Sequence, residues 1–240
     1  MKVALFDLFG TLADAQKDGQ RLDPEYALIK EFNLASLDDK EFYDRAERVV
    51  CGVTPYHSEE QYVRDVMEGI GIQGMQQNIS KVTKIIRSQG ELAQLLPGAI
   101  DVLEQVGSMA DKVALISNAF PPAIKHLEET TGLFNHFDHL FLSYERGTVK
   151  QGDNGGLFSI ATNDIGFKPD EAIMIGDNLR DDIGAAYKLG IAGVWIDRKA
   201  QTDRIARWTA DHKTSTDHVY ATVKNIFEVV DPVRRFFQKN

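Results

Sequence analysis

The chain has a single cysteine among its 240 residues, so it cannot form an internal disulfide bond. Its apolar runs are the length of a strand, far below the roughly 20 residues that span a bilayer, and no membrane partner is expected. Basic residues are scarce too, with 27 lysines and arginines against 36 aspartates and glutamates and a formal net charge of -9. Binding to nucleic acid requires a basic face, so this balance argues against such a partner. No signal-peptide pattern opens the sequence, and we expect a cytoplasmic protein.

Hydrophobic residues make up 43% of the chain, enough for a sizeable core in one large domain or two smaller ones. From residue 98 onward, short apolar runs alternate with stretches long enough for helices. The runs cover residues 113–117, 140–143, 172–176 and 193–196. This alternation predicts an α/β fold with a Rossmann-like, doubly wound parallel sheet. The carboxyl ends of such strands meet at one edge, where ligands bind.

Residues 15–95 have a different pattern, with no convincing strand. Helical periodicity covers residues 24–33, 38–51, 58–70 and 76–90, and Asp23-Pro24-Glu25 is typical of a helix start. We predict an all-helical domain at 15–95, inserted into an α/β core domain formed by 1–14 and 96–240.

The first apolar run leads to Asp7 and then to a turn that contains Gly10 and Thr11. A buried strand that ends in a carboxylate can present it as a nucleophile. Gly10 allows a sharp backbone turn, and the Thr11 hydroxyl can hydrogen-bond an incoming anion. We therefore predict Asp7 as the nucleophile, with Gly10 and Thr11 in contact with the substrate.

Two later strands also end in polar residues. The run at 113–117 ends in Ser117 and is followed by Asn118, a pair that is also common in turns. The run at 172–176 is followed by Asp177, Asp181 and Asp182.

These three carboxylates repel one another unless a cation lies among them or water surrounds them. Mg²⁺ prefers oxygen ligands, often including one or two carboxylates, and suits this pattern. Capping of a helix start would explain Asp181 and Asp182 but would leave Asp177 unexplained.

Taken in order, these motifs resemble those of the haloacid dehalogenase (HAD) superfamily, in the subclass whose helical cap lies between the first and second motifs. The resemblance implies that Asp7, Asp177, the backbone carbonyl of Phe9 and nearby Asp182 hold the metal. It also implies that the Ser117 hydroxyl holds a non-bridging phosphate oxygen. The substrate-binding residues expected on these grounds are Gly10, Thr11, Ser117 and Asn118.

The resemblance further implies a lysine, because an ammonium must hold the anionic nucleophile and phosphate together. Lys150 follows the run at 140–143 at the distance that the family uses. Lys168 is a rival, but it lies too close to the next strand to reach back. The sequence reads Lys150-Gln151-Gly152 where family members often read Lys-Pro-x-Pro.

A second departure concerns the reaction itself. Phosphatases of the family carry Asp-x-Asp-Gly-Thr, whose second aspartate protonates the leaving group and later activates water, and Phe9 stands in its place. General acid–base catalysis contributes about 10²- to 10⁴-fold, so esters with poor leaving groups should react slowly. Acyl phosphates and activated esters should suffer less, since their leaving groups need no proton.

The expected function is Mg²⁺-dependent hydrolysis of a small phosphorylated metabolite through an aspartyl-phosphate on Asp7. A metal-free 2-haloacid dehalogenase is an alternative, because those relatives carry an aromatic residue at the position of Phe9; Arg21, Arg45 or Arg48 would then bind the haloacid carboxylate. Against it, Gly176-Asp177-Asn178 keeps a metal-binding carboxylate.

A non-catalytic HAD-fold protein that binds a phosphate ligand is a third possibility. The expected partner is a small anionic molecule, and both a monomer and a homodimer remain open.

Overall fold

The computed structural model of the protein describes residues 1–14, 16–17, 20–21, 23–35, 39–197 and 219–239. The strands are β1 (Val3–Phe6), β2 (Ala13–Asp14), β3 (Gln16–Lys17), β4 (Gln20–Arg21), β5 (Gln94–Leu95), β6 (Lys112–Ser117), β7 (His139–Leu142), β8 (Ala172–Gly176), β9 (Ala192–Ile196) and β10 (Val219–Val223). The α-helices are α1 (Pro24–Phe32), α2 (Lys40–Arg48), α3 (Glu59–Ile70), α4 (Gln76–Gly90), α5 (Ala99–Gly107), α6 (Pro121–Thr131), α7 (Ser143–Arg146), α8 (Gly156–Ile165), α9 (Ala185–Tyr187) and α10 (Val230–Lys239). Two π-helical turns lie at Val49–Val53 and Leu179–Gly184.

A six-stranded sheet in the order β10-β9-β8-β1-β6-β7 forms the centre of the molecule. Each neighbouring pair of its strands is parallel. All four residues of β1 are apolar and fully buried, as expected for a parallel strand covered on both faces. The sheet confirms the predicted doubly wound α/β fold.

Register explains why the polar strand ends meet. Phe6 pairs with Leu115 of β6 on one side and with Ile175 of β8 on the other. Asp7 therefore leaves the sheet between the end of β6 and the end of β8.

Helices cover both faces of the sheet. Ala4 and Phe6 of β1 face the cluster that includes residues of α5 and α10, whereas Val3 and Leu5 face the cluster that includes Phe158 of α8. Full burial of a side chain such as Phe158 contributes about 1.5–3 kcal/mol, so this packing fixes the sheet that carries the site.

The segment from residue 15 to residue 95 holds α1 to α4, close to the four predicted helices. Asp23 caps α1 by accepting the Tyr26 N–H, and Ser58 caps α3 by accepting the Gln61 N–H. The last residues predicted for the second helix lie instead in the π-helical turn Val49–Val53.

Two short antiparallel pairs were not predicted in this region. β3 pairs with β4, and β2 pairs with β5 where the chain returns towards the core. Each of these strands has two residues, too few to leave a periodic pattern in the sequence.

Residues 198–218, predicted as part of the core domain, and residues 36–38, at the start of the second predicted helix, lie outside the described residues. None of the helices in the described ranges is both long enough and apolar enough to cross a membrane.

Candidate active site

Asp7 lies directly after β1, and its side chain is almost completely buried. Its backbone N–H still belongs to the sheet, since it donates to the Ile175 carbonyl at 2.9 Å. The chain then reverses through a tight turn in which the Leu8 carbonyl accepts the N–H groups of Leu12 at 2.8 Å and Ala13 at 2.9 Å. This turn brings the backbone after Asp7 to the edge of the sheet.

Gly10 is required in this turn for two reasons. Its φ of +89° lies in the left-handed region that favours glycine. A Cβ atom added there would also lie 2.1 Å from Oδ2 of Asp177, so the backbone passes directly against that carboxylate. The sequence predicted the sharp turn, but the close approach to Asp177 is visible only in three dimensions.

Asp7, Asp177 and Asp182 form a cluster in which each offers a carboxylate oxygen, and these oxygens lie within 4.8 Å of one another. Asp182 lies within the π-helical turn Leu179–Gly184, which follows β8 closely. The Asp182 side chain is held in place by the Asn178 N–H, which donates to its Oδ2 at 2.9 Å. Gly176 makes room, since a Cβ there would lie 2.3 Å from the same oxygen.

This donor set suits a divalent cation such as Mg²⁺, which binds carboxylate and carbonyl oxygens. The three predicted carboxylate ligands therefore lie together. Gly10, the residue after Phe9, packs against Asp177, and a carbonyl ligand at Phe9 would not depend on its aromatic side chain.

The electrostatics of the cluster are those of buried like charges. Burial is the main cause that raises the pKa of Asp182 well above its ordinary range, and Asp7 raises it further, while Lys150 partly offsets the effect. A cation among these carboxylates would favour their ionised forms.

Lys150 supplies a positive charge at the cluster. Its side chain is 3% exposed; Nζ donates to Oδ1 of Asp182 at 2.6 Å and also to Oδ1 of Asp7. Burial alone would lower the pKa of Lys150, but the two carboxylates outweigh burial and hold it above its ordinary value. Lys168, the rival in the sequence, is exposed beside a short turn, and its backbone N–H donates to Glu171.

The loop that carries Lys150, residues 147–155, is called the lysine loop below. Its position depends on Asn118, whose Oδ1 accepts the Lys150 N–H at 2.8 Å. A Cβ on Gly156 would lie 2.1 Å from the Val149 carbonyl oxygen, so glycine permits the close folding of the loop onto α8. Asn118 was predicted to contact substrate; here its carbonyl holds the backbone of the lysine loop, a role with no signal in the sequence.

Ser117 and Thr11 are both buried at the end of the sheet. The Ser117 hydroxyl has no hydrogen-bond partner among the residues that the structure describes. A buried polar group without a partner costs about 1–3 kcal/mol, which is consistent with a hydroxyl that binds a ligand.

Two acidic residues of the helical insert were not predicted as site residues, and one of them lies close to Asp181. Glu47 of α2 is partly buried near the ion pair formed by Arg180 and Asp181. Burial, followed by the charge of Asp181, raises the pKa of Glu47 to about 7 despite the opposing charge of Arg180.

A second buried acid of the insert is Glu25, on α1. The Tyr43 hydroxyl lies 2.7 Å from Oε1 of Glu25 and 3.0 Å from Oδ1 of Asp23. Burial is the main cause that raises the pKa of Glu25 well above its ordinary range, and the charges of Asp23 and Glu47 raise it further.

The arginines considered for a haloacid carboxylate do not form a buried site on α2. Arg45 and Arg48 are both exposed, and the Arg45 guanidinium lies 4.7 Å from the centre of the Phe42 ring.

A family model for haloacid dehalogenase-like hydrolases matches residues 1–190 of the chain. The chain therefore belongs to this family of hydrolases, as its motifs suggested.

The pyrimidine 5'-nucleotidase YjjG of Escherichia coli is 33% identical over 129 residues, which make up 52% of this chain and 56% of that protein. The chain thus spans little more than half the length of this relative. A glyceraldehyde 3-phosphate phosphatase of Methanopyrus kandleri is 26% identical over 209 residues, 85% of this chain and 87% of that protein. Among solved structures, a 2-haloacid dehalogenase from Pseudomonas syringae has a TM-score of 0.65 at 15% identity, with 98% of this chain and 99% of that chain covered. At such low identity, the last likeness shows the fold alone.

Proposed function

We propose that the protein catalyses Mg²⁺-dependent hydrolysis of a small phosphorylated metabolite through an aspartyl-phosphate on Asp7. The observation that carries this proposal is the contact of the Lys150 ammonium with both Asp7 and Asp182, within a cluster of three carboxylates. The names of two relatives, a pyrimidine 5'-nucleotidase and a glyceraldehyde 3-phosphate phosphatase, support phosphoryl chemistry.

In the first step, a carboxylate oxygen of Asp7 bonds to phosphorus while the bond from phosphorus to the leaving oxygen breaks. The electron pair departs with that oxygen. Lys150 draws the anionic phosphoryl group towards the equally anionic nucleophile, and the Ser117 hydroxyl donates to a non-bridging oxygen. In the second step, water oxygen bonds to phosphorus, the bond to Asp7 breaks, and one water proton passes to solvent.

Asp7, Asp177, Asp182 and the Phe9 carbonyl would hold the metal. When bound, Mg²⁺ supplies positive charge that stabilises the phosphoryl oxygens in the transition state.

Phe9 narrows the substrates that fit this mechanism. It cannot give a proton to the leaving oxygen, and such help is worth about 10²- to 10⁴-fold. Acyl phosphates and activated phosphate esters, whose leaving groups depart as stable anions, are the preferred substrate class.

In this proposal residues 15–95 act as a cap over a core made of residues 1–14 and 96–240, and cap residues determine which metabolite enters. The single cysteine favours a cytoplasmic location, and the acidic composition disfavours nucleic acid as a partner. In this proposal the substrate is a small anion, met locally by Lys150, and the protein acts as a monomer or homodimer.

The test is phosphate release from acetyl phosphate and para-nitrophenyl phosphate, with Mg²⁺ and with EDTA, for the wild type, Asp7→Asn and Asp101→Asn. Asp101 is exposed on α5 and serves as the matched control. Metal-dependent release that Asp7→Asn abolishes and Asp101→Asn retains would support the proposal.

Halide release from 2-chloropropionate, unaffected by EDTA, would instead identify a dehalogenase. Silence in every assay, together with phosphate binding by calorimetry, would identify a non-catalytic binding protein.

A further inference from the structure

Ser143 is a fully buried polar residue at the start of α7 whose hydroxyl connects two distant segments. Its Oγ accepts the N–H of Ala119 at 2.9 Å and donates to the carbonyl of Cys51 at 3.4 Å. Ala119 belongs to the turn of residues 117–120, called the serine turn here. Cys51 belongs to the π-helical turn Val49–Val53 of the insert, called the insert turn.

The serine turn is also hydrogen-bonded to the lysine loop. Asn118, next to Ala119, accepts the Lys150 N–H, and the Lys150 ammonium contacts Asp7. A continuous series of short contacts therefore leads from the insert turn through Ser143 to the nucleophile.

A second contact joins the same segments without Ser143. A Cβ on Gly52 would lie 3.3 Å from Cγ1 of Val149, so the insert turn packs against the residue that precedes Lys150. The insert turn thus contacts the lysine loop directly and the serine turn through Ser143.

We propose that Ser143 is a positioning residue that couples the helical insert to Lys150. This inference rests on the proposed function, in which Lys150 must align Asp7 and phosphate. While both bonds are made, one hydroxyl fixes the insert turn to the serine turn, and Asn118 of the serine turn fixes the Lys150 backbone. A shift of the insert turn is thereby transmitted to the backbone that carries the lysine.

The experiment is amide hydrogen exchange on the full chain, compared for the wild type, Ser143→Ala and Ser108→Ala. Ser108 is the control, because it is exposed and its hydroxyl bonds only locally, to the Gln105 carbonyl. Ser143→Ala removes the acceptor of the Ala119 N–H, so faster exchange there is expected on any account. If Ser143 couples the two segments, exchange in Ser143→Ala should also be about two- to tenfold faster than in the wild type, both in the insert turn and at residues 149–151.

Faster exchange confined to Ala119 would overturn the proposal. If Ser143→Ala fails to fold by circular dichroism, Gly52→Ala takes its place, since it pushes the insert turn against Val149 and leaves Ser143 intact. It should speed exchange at Lys150 and spare Ala119; unchanged exchange at Lys150 would contradict the coupling.

A kinetic measurement separates positioning from a purely structural role. With acetyl phosphate and Mg²⁺, Ser143→Ala should lower kcat about two- to tenfold with a smaller change in KM, because the lysine acts on the reacting atoms. Equal kcat in both proteins would contradict the proposal. If the wild type itself has no turnover, the proposed function fails, whereas the exchange result still decides the coupling.

Discussion

Phe9 is the residue whose identity bears most directly on the proposed chemistry, because the motif resemblance implies a proton donor at its position in phosphatases of the family. The backbone around it brings Gly10 against Asp177, and Asp7 lies two residues earlier in the chain. In the proposed mechanism, the side chain at position 9 therefore alters the acid–base chemistry and leaves the nucleophile in place.

Placing a carboxyl group at position 9 tests whether the missing proton donor limits turnover. We expect Phe9→Asp to increase turnover of glycerol phosphate, whose leaving group needs a proton, by about 10²- to 10⁴-fold, with a far smaller gain for acetyl phosphate. The measurement is kcat/KM for both substrates. Phe9→Asn is the control of similar size that cannot supply a proton, and an equal gain in that variant would contradict the explanation.

At the scale of the elements, the turn after β1 depends on the close approach of Gly10 and Asp177. Gly10→Ala should lose Mg²⁺ affinity at least tenfold, because the new methyl group collides with the carboxylate as well as straining the backbone. Mg²⁺ titration by calorimetry checks this.

Gly166 offers the matched control. Its φ of +81° is equally unfavourable to alanine, but a Cβ there has no neighbour within 4 Å. Gly166→Ala should therefore lower the melting temperature and leave Mg²⁺ affinity unchanged. Equal affinity in both variants would mean that the collision at Asp177 is harmless.

Helix α2 carries a second prediction, at Glu47. Because its pKa is raised to about 7, folding binds a proton at this carboxyl between about pH 4.5 and pH 7. Its contribution to the free energy of unfolding falls as the pH rises through that window and is constant above it. Glu47→Gln, which resembles the neutral acid, should therefore gain stability relative to the wild type as the pH rises from 4.5 to 7, by about 1–2 kcal/mol after allowance for the partial exposure of Glu47.

Thermal unfolding followed from pH 4.5 to pH 8.5 measures this difference. Glu68→Gln, an exposed change on α3, should give a difference that does not vary with pH. A flat difference for Glu47→Gln as well would show that the carboxyl is solvated.

For the whole molecule, a cation bound at the carboxylate cluster would link metal binding to stability. A ligand that binds only the folded protein adds about 2.7 kcal/mol when its concentration is 100 times its Kd. We expect Mg²⁺ to raise the melting temperature of the wild type, EDTA to reverse the rise, and Asp177→Asn to abolish most of it. A melting temperature indifferent to Mg²⁺ would argue against the metal site without any assay of turnover.

The sequence predicts part of this molecule well, for physical reasons. Parallel strands align their carboxyl ends, so the alternation of apolar runs was enough to predict that Asp7, Ser117 and Asp177 lie at one edge of the sheet. The reach of Lys150 could not be read in this way, since it depends on the support that Asn118 gives the lysine loop and on a glycine contact at Gly156.

The acids of the insert escaped prediction for a different reason. The burial of Glu47 near Asp181 arises from packing between segments more than a hundred residues apart. Local periodicity shows only which face of a helix is apolar. Because α2 is rich in charged residues, its sequence gives no sign that one of its carboxylates is buried.

The Tyr43 hydroxyl has a consequence for the proton balance of the molecule. A phenol carries one proton, yet two carboxyl groups, those of Asp23 and Glu25, lie within hydrogen-bond distance of it. Burial raises the pKa of Glu25 well above its ordinary range, which favours the protonated form of this carboxyl beside the phenol. Where the pH lies between the ordinary pKa of a glutamate and the raised pKa of Glu25, folding of the insert takes up a hydrogen ion. Solvent acidity then acts on the insert as the concentration of a ligand would, and the proton is released when α1 and α2 come apart.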